Sequence, residues 1–465
     1  MIVTLDNGTK IECEDEPFAE GGEGKIYWDR AGTHVVKLYK GVEASREAII
    51  REIVGPRYNV VLPEPFWDKY FAWPDAIIKQ PSLGITMPRR KGTDMLWFLQ
   101  PAARKAYANK NGPEKLGKWI NYVRISIKMS QLVAKMHQRG LCHSDLSFKN
   151  FMCDPINDSV VLLDCDSLVV PLMAPPNVLG TKMCMAPELM TYYLGGAQAT
   201  PTRETDRHAL ATLIYWLMLQ RHPLIGPKQY DTDADISESL ALGPRALFIE
   251  DPKDRSNNFP KMPPAFAYTS FLTPAVANLV KQAFIDGLHH PEARPAAPDW
   301  SQALRRMLDA IIPCDNPKCP AGSFVVHPGA GPVQCICGQP VRAVATLPVL
   351  NFYTQKKFGQ FSSDQGYIMV GWPGRSLHKW HTDTDTATPE LEADQNARAR
   401  LEHDPVTKRW ALVNLSLPDI VVLDSVQGPV ALPPGQKVEL KSEMRILFGP
   451  PPQYRMAYVQ ILKVA

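Results

Sequence analysis

A chain of 465 residues is longer than one hydrophobic core usually organises, so two to four domains are expected. Its 45% hydrophobic and 21% charged residues are ordinary for a globular protein, and 51 basic against 48 acidic residues leave a net charge of +3. That balance gives no reason to expect nucleic acid or a membrane surface as partner, and the longest apolar run, residues 209–219, is too short to span a bilayer.

The chain starts without a basic stretch followed by an apolar one, so no secretory signal is expected. Residues 1–90 read as strand-rich. Ile2-Val3-Thr4-Leu5 and Lys10-Ile11-Glu12 flank Asp6-Asn7-Gly8, and Asn-Gly tolerates the positive φ that a tight hairpin needs. One helical pattern follows at about 43–54, apolar residues recur with helical spacing from 116 to 139, and helices predominate after Pro187. Proline clusters at 174–176 and 449–452 mark loops, and 313–345 is rich in turns. From 346 to 465 short alternating runs such as Trp410-Ala-Leu-Val413 return between Pro and Gly turns, the pattern of a small all-β sandwich. Residues 382–388 form a short polar loop.

The chemistry concentrates in His143-Ser144-Asp145-Leu146-Ser147-Phe148-Lys149-Asn150 and in Asp164 of Val-Leu-Leu-Asp-Cys-Asp166. Asp145 can accept a proton from an attacking hydroxyl, while Asn150 and Asp164 supply hard oxygen ligands for magnesium or manganese. Upstream, Gly21, Gly22 and Gly24 would let backbone N–H groups approach a triphosphate, although three glycines in four positions also make a plain hairpin turn. Lys37 ends the next strand; it is either the phosphate-binding lysine or a solvated neighbour of Lys40.

These motifs, in this order, resemble the protein-kinase fold over residues 18–300. The resemblance implies a two-lobed α+β architecture, with an N-lobe at 1–88 and a C-lobe at 89–312. It implies ATP as cofactor, Glu47 as the helix carboxylate that orients Lys37 (Glu52 being the alternative), and a hinge in which Met87 is the gatekeeper. Pro88 would offer its carbonyl and Arg90 its N–H to adenine. His143 would be structural, and Asp206 would bond the catalytic-loop backbone. Gly180-Thr181 and Ala186-Pro187-Glu188 would end the activation segment, and Arg294 would pair with Glu188. Three departures stand out. Ser144 replaces the arginine that pairs with a phosphorylated loop, Ser147 replaces a lysine, with Lys149 as a substitute at another phase, and Asp164-Cys165-Asp166 replaces Asp-Phe-Gly. Asp166 is either a further metal ligand or a loop residue facing solvent. Without the arginine, activity is expected not to require loop phosphorylation.

Nine cysteines are unevenly placed: five are scattered through the first 184 residues, and Cys314, Cys319, Cys335 and Cys337 crowd together. The cluster has the look of a zinc ribbon at 313–345, its thiolates holding a structural Zn²⁺; free thiols or a disulfide are the alternatives. His327 reads as a loop residue. Scattered thiols beside a magnesium-type site point to a reducing cytoplasm. Val370-Gly371-Trp372, Arg398–Leu401 and Ile446–Gly449 resemble the landmarks of a forkhead-associated sandwich at 346–465. Trp372 stands where the phosphate-binding arginine belongs, so Arg375, Arg398 and Arg400 read as surface residues by default.

The whole arrangement is similar to bacterial Ser/Thr kinases of the tellurium-resistance-associated phosphorylation triad. That resemblance implies a protein substrate, a PP2C-type phosphatase and a von Willebrand A-type protein as partners, with regulation by partners or accessory domains. A small-molecule phosphotransferase of kinase-like fold and a nucleotide-binding scaffold without turnover are the competing expectations.

Overall fold

The computed structural model describes residues 1–57, 64–173, 180–197, 199–385, 395–424 and 428–464. The proline cluster at 174–176 and the end of the polar loop at 386–388 lie outside them. The chain divides into two compact units, residues 1–117, 128–260 and 280–297 forming one and 118–127, 261–279 and 298–464 the other. No helix among the described residues is long and apolar enough to cross a membrane.

The first unit opens with a curled antiparallel sheet of seven strands: β1 (Ile2–Leu5), β2 (Lys10–Glu12), β3 (Ala19–Glu20), β4 (Gly24–Trp28), β5 (His34–Tyr39), β6 (Ala76–Gln80) and β7 (Gly84–Pro88). Their spatial order is β2-β1-β6-β7-β5-β4-β3. The β1–β2 turn is closed by Asn7, whose side chain accepts from Thr9 N–H at 2.9 Å, while Gly8 takes φ 86°. Gly24 is required by packing rather than by φ: a Cβ there would stand 2.3 Å from Leu38 O on the adjacent β5.

Strand alternation makes β5 two-sided. Val36 and Leu38 enter a cluster with Val3, Leu5, Tyr27 and Ile78. Tyr39 enters another with Ile50, Val54, Ile85 and Met87. Lys37 therefore shares the Tyr39 face. Ile50 and Val54 come from helix α1 (Ala44–Glu52) and the π-helical turn Ile53–Arg57 that follows it. The Ncap residue, Glu43, makes no side-chain cap, and nine residues are too few for a stable isolated helix. Burial of Ile49 and Ile50, about 1.5–3 kcal/mol each, holds α1 on the sheet.

The remainder of this unit is mostly helical. Helix Arg203–Leu219 is buried along most of its length. It is started by Thr202, whose hydroxyl accepts from Glu204 N–H at 3.2 Å, with Thr205 returning the bond to Thr202 N–H. That cap fixes the first turn, and with it the position of Asp206.

Besides the antiparallel pair Ile311–Pro313 and Ser323–Val325, the second unit contains two multi-stranded antiparallel sheets among the described residues. The larger has the order Gln360–Val370, Thr346–Lys357, Met456–Lys463, Arg445–Leu447, Val421–Val422, Val430–Ala431. The smaller runs Ser376–Leu377, Ala399–His403, Trp410–Asn414, Lys437–Glu439. Ala399 and Leu401, and Trp410, Leu412 and Asn414, are buried in alternation, as one-sided strands require. Helix Ala297–Asp309, expected with the helical region before 312, groups from Pro298 onward with this unit.

The three arginines read as surface residues are engaged. Arg375 donates to the carbonyls of Asp309 and Val370 at 2.8 and 2.6 Å, Arg398 pairs with Asp383 at 2.9 Å, and Arg400 pairs with Glu402 at 2.7 Å.

Candidate active site and metal centre

Lys37 Nζ stands among three carboxylates: Glu23 Oε2 at 3.0 Å, Asp164 Oδ1 at 2.9 Å and Asp166 Oδ2 at 2.8 Å. Its side chain is 8% exposed. Burial alone would favour the neutral amine, but Asp166 and Asp164 outweigh it and hold the ammonium well above its ordinary range. Asp166 is fully buried and collects three donors on Oδ2: Lys37, Tyr39 OH at 2.6 Å and Arg46 Nη2 at 3.4 Å. Burial pushes this carboxyl up, yet Lys37 and Arg46 prevail and keep it below the usual carboxylate range. Asp164 moves the other way, raised first by burial and then by the Asp166 charge beside it. Its backbone is left-handed, φ 57°, an uncommon conformation for a non-glycine residue.

Two sequence expectations are corrected here. Asp166 does not face solvent. Glu47 does not meet Lys37: it accepts from Arg51 at 2.8 Å and is 40% exposed, and Glu52 pairs with Arg57 at 3.1 Å. The α1 residue that does reach the centre is Arg46, one position earlier, which donates to Asp166 O at 2.8 Å and Ser167 Oγ at 2.9 Å. One residue turns a helix by about 100°, so a one-position difference decides which side chain faces inward.

Asp145 is half-buried on the loop before Asn150. Asn150 Nδ2 donates to Asp145 O at 2.7 Å and reaches Asp145 Oδ2 at 3.3 Å, which leaves its own Oδ1 free to accept or to ligate. Thr181 N–H donates to Asp145 Oδ1 at 2.8 Å, and the Thr181 hydroxyl lies 3.1 Å from Asp145 Oδ2 and 3.2 Å from Ser147 Oγ. Sequence reasoning missed Thr181 in this role.

His143 locks the loop. Asp145 N–H donates to its Nδ1 at 3.1 Å, Nε2 bonds Leu163 O at 3.1 Å, and a neutral ring protonated at Nε2 satisfies both. His143 N–H in turn donates to Asp206 Oδ2 at 3.0 Å, which also takes His137 at 2.9 Å. Ser144 Oγ is buried without a partner among the described residues, beside a cavity of about 20 Å³ between His143–Leu146 and Gly180-Thr181, room for one water. Arg294 binds both Glu188 oxygens, at 2.7 and 2.8 Å, and spends its other donors on the carbonyls of Glu204, Gly287 and Leu288.

Above this centre, Gly21 and Gly22 open onto space in which a Cβ would meet nothing within 4 Å. Met87 is buried at the end of β7, where Pro88 pairs with His34. Arg89 N–H is spent on Thr33 O at 2.8 Å, whereas the Arg90 N–H has no partner among the described residues. The Arg90 guanidinium donates to Asp68 at 3.0 Å and to Phe71 O at 2.9 Å.

In the second unit the four clustered cysteines converge. Cys314 and Cys337 sulfurs are 3.7 Å apart and those of Cys319 and Cys335 3.6 Å, with all four within 4.8 Å of one another. Tetrahedral zinc with Zn–S bonds near 2.3 Å implies S···S edges of about 3.8 Å, so the donor set fits. All nine cysteines are free thiols. Gly338, at φ 80°, donates to Cys335 O at 2.8 Å and shapes one knuckle. Burial raises Cys337, but donors from Gln339 N–H, Cys314, Cys335 and Asn316 together pull it down to about 7, so this sulfur reaches the metal-binding thiolate form readily. The four sulfurs can hold a structural metal such as zinc.

No protein-family model matches the chain. It is similar to the dual serine/threonine and tyrosine protein kinase of Apis mellifera, with 25% identity over 99 residues, 21% of this chain and 9% of that protein. The chain thus bears a kinase-like resemblance over about a fifth of its length and spans under a tenth of that relative.

Proposed function

We propose that the protein is an ATP- and magnesium-dependent serine/threonine protein kinase of two-lobed fold that lacks the catalytic-loop arginine. The observation that carries this reading is the convergence of Lys37 on Asp164 together with the Asn150–Asp145 bond. In a loose phosphoryl-transfer transition state, placement and charge neutralisation outweigh basicity, and these four residues provide both. ATP would lie with its phosphates under Gly21, Gly22 and Gly24 and its adenine against the Arg90 N–H and the Pro88 carbonyl. Asn150 Oδ1 and the Asp164 carboxylate fit magnesium as hard oxygen ligands, and the metal would neutralise phosphate charge there. Asp145 orients and deprotonates the acceptor hydroxyl. The threonine hydroxyl already resting 3.1 Å from Asp145 supports a side-chain alcohol as acceptor.

Regulation falls to partners or accessory domains, because Ser144 supplies no cation for a phosphorylated loop. A PP2C-type phosphatase and a von Willebrand A-type protein are the proposed partners, a forkhead-associated-like fold is proposed for the C-terminal sheets, and the cytoplasm is the proposed compartment. The test compares wild type with Asp145→Asn, using radiolabelled ATP, magnesium and protein acceptors. Transfer is expected to fall by about 10²–10⁴-fold while nucleotide binding persists. Equal label on the acceptors from both proteins would remove Asp145 from catalysis and the reading with it.

A further inference from the structure

We infer that Asp166 is the carboxylate that positions Lys37, and that helix α1 acts on this lysine through Arg46 and Asp166 rather than through a glutamate of its own. For its catalytic consequence the inference rests on the phosphotransferase reading above; its geometry stands apart from it.

The three carboxylates around Lys37 are not equivalent. Glu23 sits on the glycine turn and is 39% exposed, and Asp164 is 27% exposed, so an incoming nucleotide and cation can draw both away. Asp166 has no exposed surface and faces the protein interior, where Tyr39 OH and Arg46 share the same oxygen with Lys37. A buried carboxylate is tolerated only with such partners, which makes the arrangement mutually dependent. Lys37 also fills the space between Glu23, Asp164 and Asp166, the one acidic group of metal-ligand geometry among the described residues. The cation of that cluster is thus the lysine itself, and Asp166 Oδ2 has no donor position left for a metal.

The link to α1 is equally specific. Arg46 spans the main chain and side chains of Asp166 and Ser167, and its Nη2 lies 3.6 Å from Glu23. Glu47 is turned away onto Arg51, which is itself held by Asp6 at 2.8 Å. A shift of α1 would accordingly pull on Asp166 first and on Lys37 second. Asp166 and Arg46 are positioning residues, since neither touches substrate in this account.

The test uses the full-length protein without nucleotide and measures acetylation of Lys37 by sulfo-N-hydroxysuccinimide acetate, quantified by peptide mass spectrometry. Wild type, Asp166→Asn, Arg46→Met and Glu47→Gln are compared after thermal melts establish that each is folded. Loss of Asp166 removes the buried charge-assisted hydrogen bond that holds the amine in place, so labelling is expected to rise about tenfold in Asp166→Asn, less in Arg46→Met, and not at all in Glu47→Gln. In parallel, Asp166→Asn is expected to raise the KM for ATP and lower kcat, whereas Glu47→Gln alters neither; a general loss of folded protein would scale kcat alone. Should Asp166→Asn fail to fold, the Arg46→Met and Glu47→Gln pair decides the matter by the same readings. A rise in labelling for Glu47→Gln with none for Asp166→Asn or Arg46→Met overturns the inference. If wild type transfers no phosphate at all, the functional reading fails, while the labelling pattern still judges the anchor.

Discussion

Two buried charge clusters in this molecule look alike in inventory and differ in state. Around Lys37, one carboxylate is held below its ordinary range and its neighbour above it, Asp166 Oδ1 is buried with no partner among the described residues, and Asp164 sits in a left-handed backbone. In the second unit, Asp309 accepts from Tyr367 OH at 2.7 Å and pairs with His381 at 3.2 Å, while Asp364 is bound by Arg306 at 3.1 Å and Arg455 at 2.7 Å. Arg455 spends its remaining reach on the carbonyls of Trp380 and Asp383. The second cluster is satisfied and structural. The first combines opposed pKa shifts with an uncommon backbone conformation, the kind of perturbed constellation that makes it the candidate site.

The contrast can be broken in several ways. The largest effect should come from the sulfur cluster of the second unit, because metal binding there is folding free energy. Cys319→Ser combined with Cys335→Ser should abolish retained metal, measured by elemental analysis after gel filtration, and should open residues 313–345 to limited proteolysis. Next, Arg455→Met leaves Asp364 short of a partner in a satisfied network and should cost about 3–5 kcal/mol in urea unfolding, with Lys37 acetylation unchanged. Equal stability in that variant would mean the network is less essential than its geometry implies.

Acid separates the two clusters more gently. Asp309 and Asp166 both sit below the usual carboxylate range, each lifted by burial but lowered further by its partners. Each contributes stability in full above about pH 4 and loses it as pH falls through the lower folded value. Asp164, with its raised value, binds its proton more readily folded than unfolded and therefore gains stability on acidification, opposing Asp166. Hydrogen exchange should consequently show acid loosening both the second unit around Asp309 and the strands around Lys37, and Asp164→Asn, which removes the opposing proton uptake, should steepen the loss around Lys37 alone. The smallest effect belongs to Glu47→Gln. It breaks an exposed i,i+4 pair and should cost about 0.3–0.5 kcal/mol in thermal unfolding, with no change in ATP turnover. A loss of turnover there would return Glu47 to the active site.

Much of the local structure was written in the sequence. Asn7-Gly8 specified a hairpin because Gly8 adopts positive φ without strain and the Asn7 side chain accepts from Thr9 N–H. The β-branched Val35-Val36 before Lys37 specified a strand, although that strand runs on past Lys37 to Tyr39. The spacing of the four cysteines likewise gathered sulfurs within reach of a shared cation, and that of Asp145 and Asn150 set the bond between them. These signals are short-ranged, and neighbouring residues suffice to carry them.

Only the tertiary structure decided which partners those groups take. Whether Arg46 or Glu47 faces Lys37 depends on the rotation of an uncapped nine-residue helix, and that rotation is fixed by Ile49 and Ile50 packing on the sheet rather than by anything local. Asp166 read equally as ligand or solvent-facing loop because burial is a property of the whole fold; the cations that tolerate its charge arrive from 129 and 120 residues away in the chain. The same holds for Arg375, a surface arginine by composition that is spent on carbonyls of Asp309 and Val370. Sequence determined the kinds of groups present and their local order, and long-range packing determined which charges meet, since electrostatic partners are chosen by distance in space and by the water excluded between them.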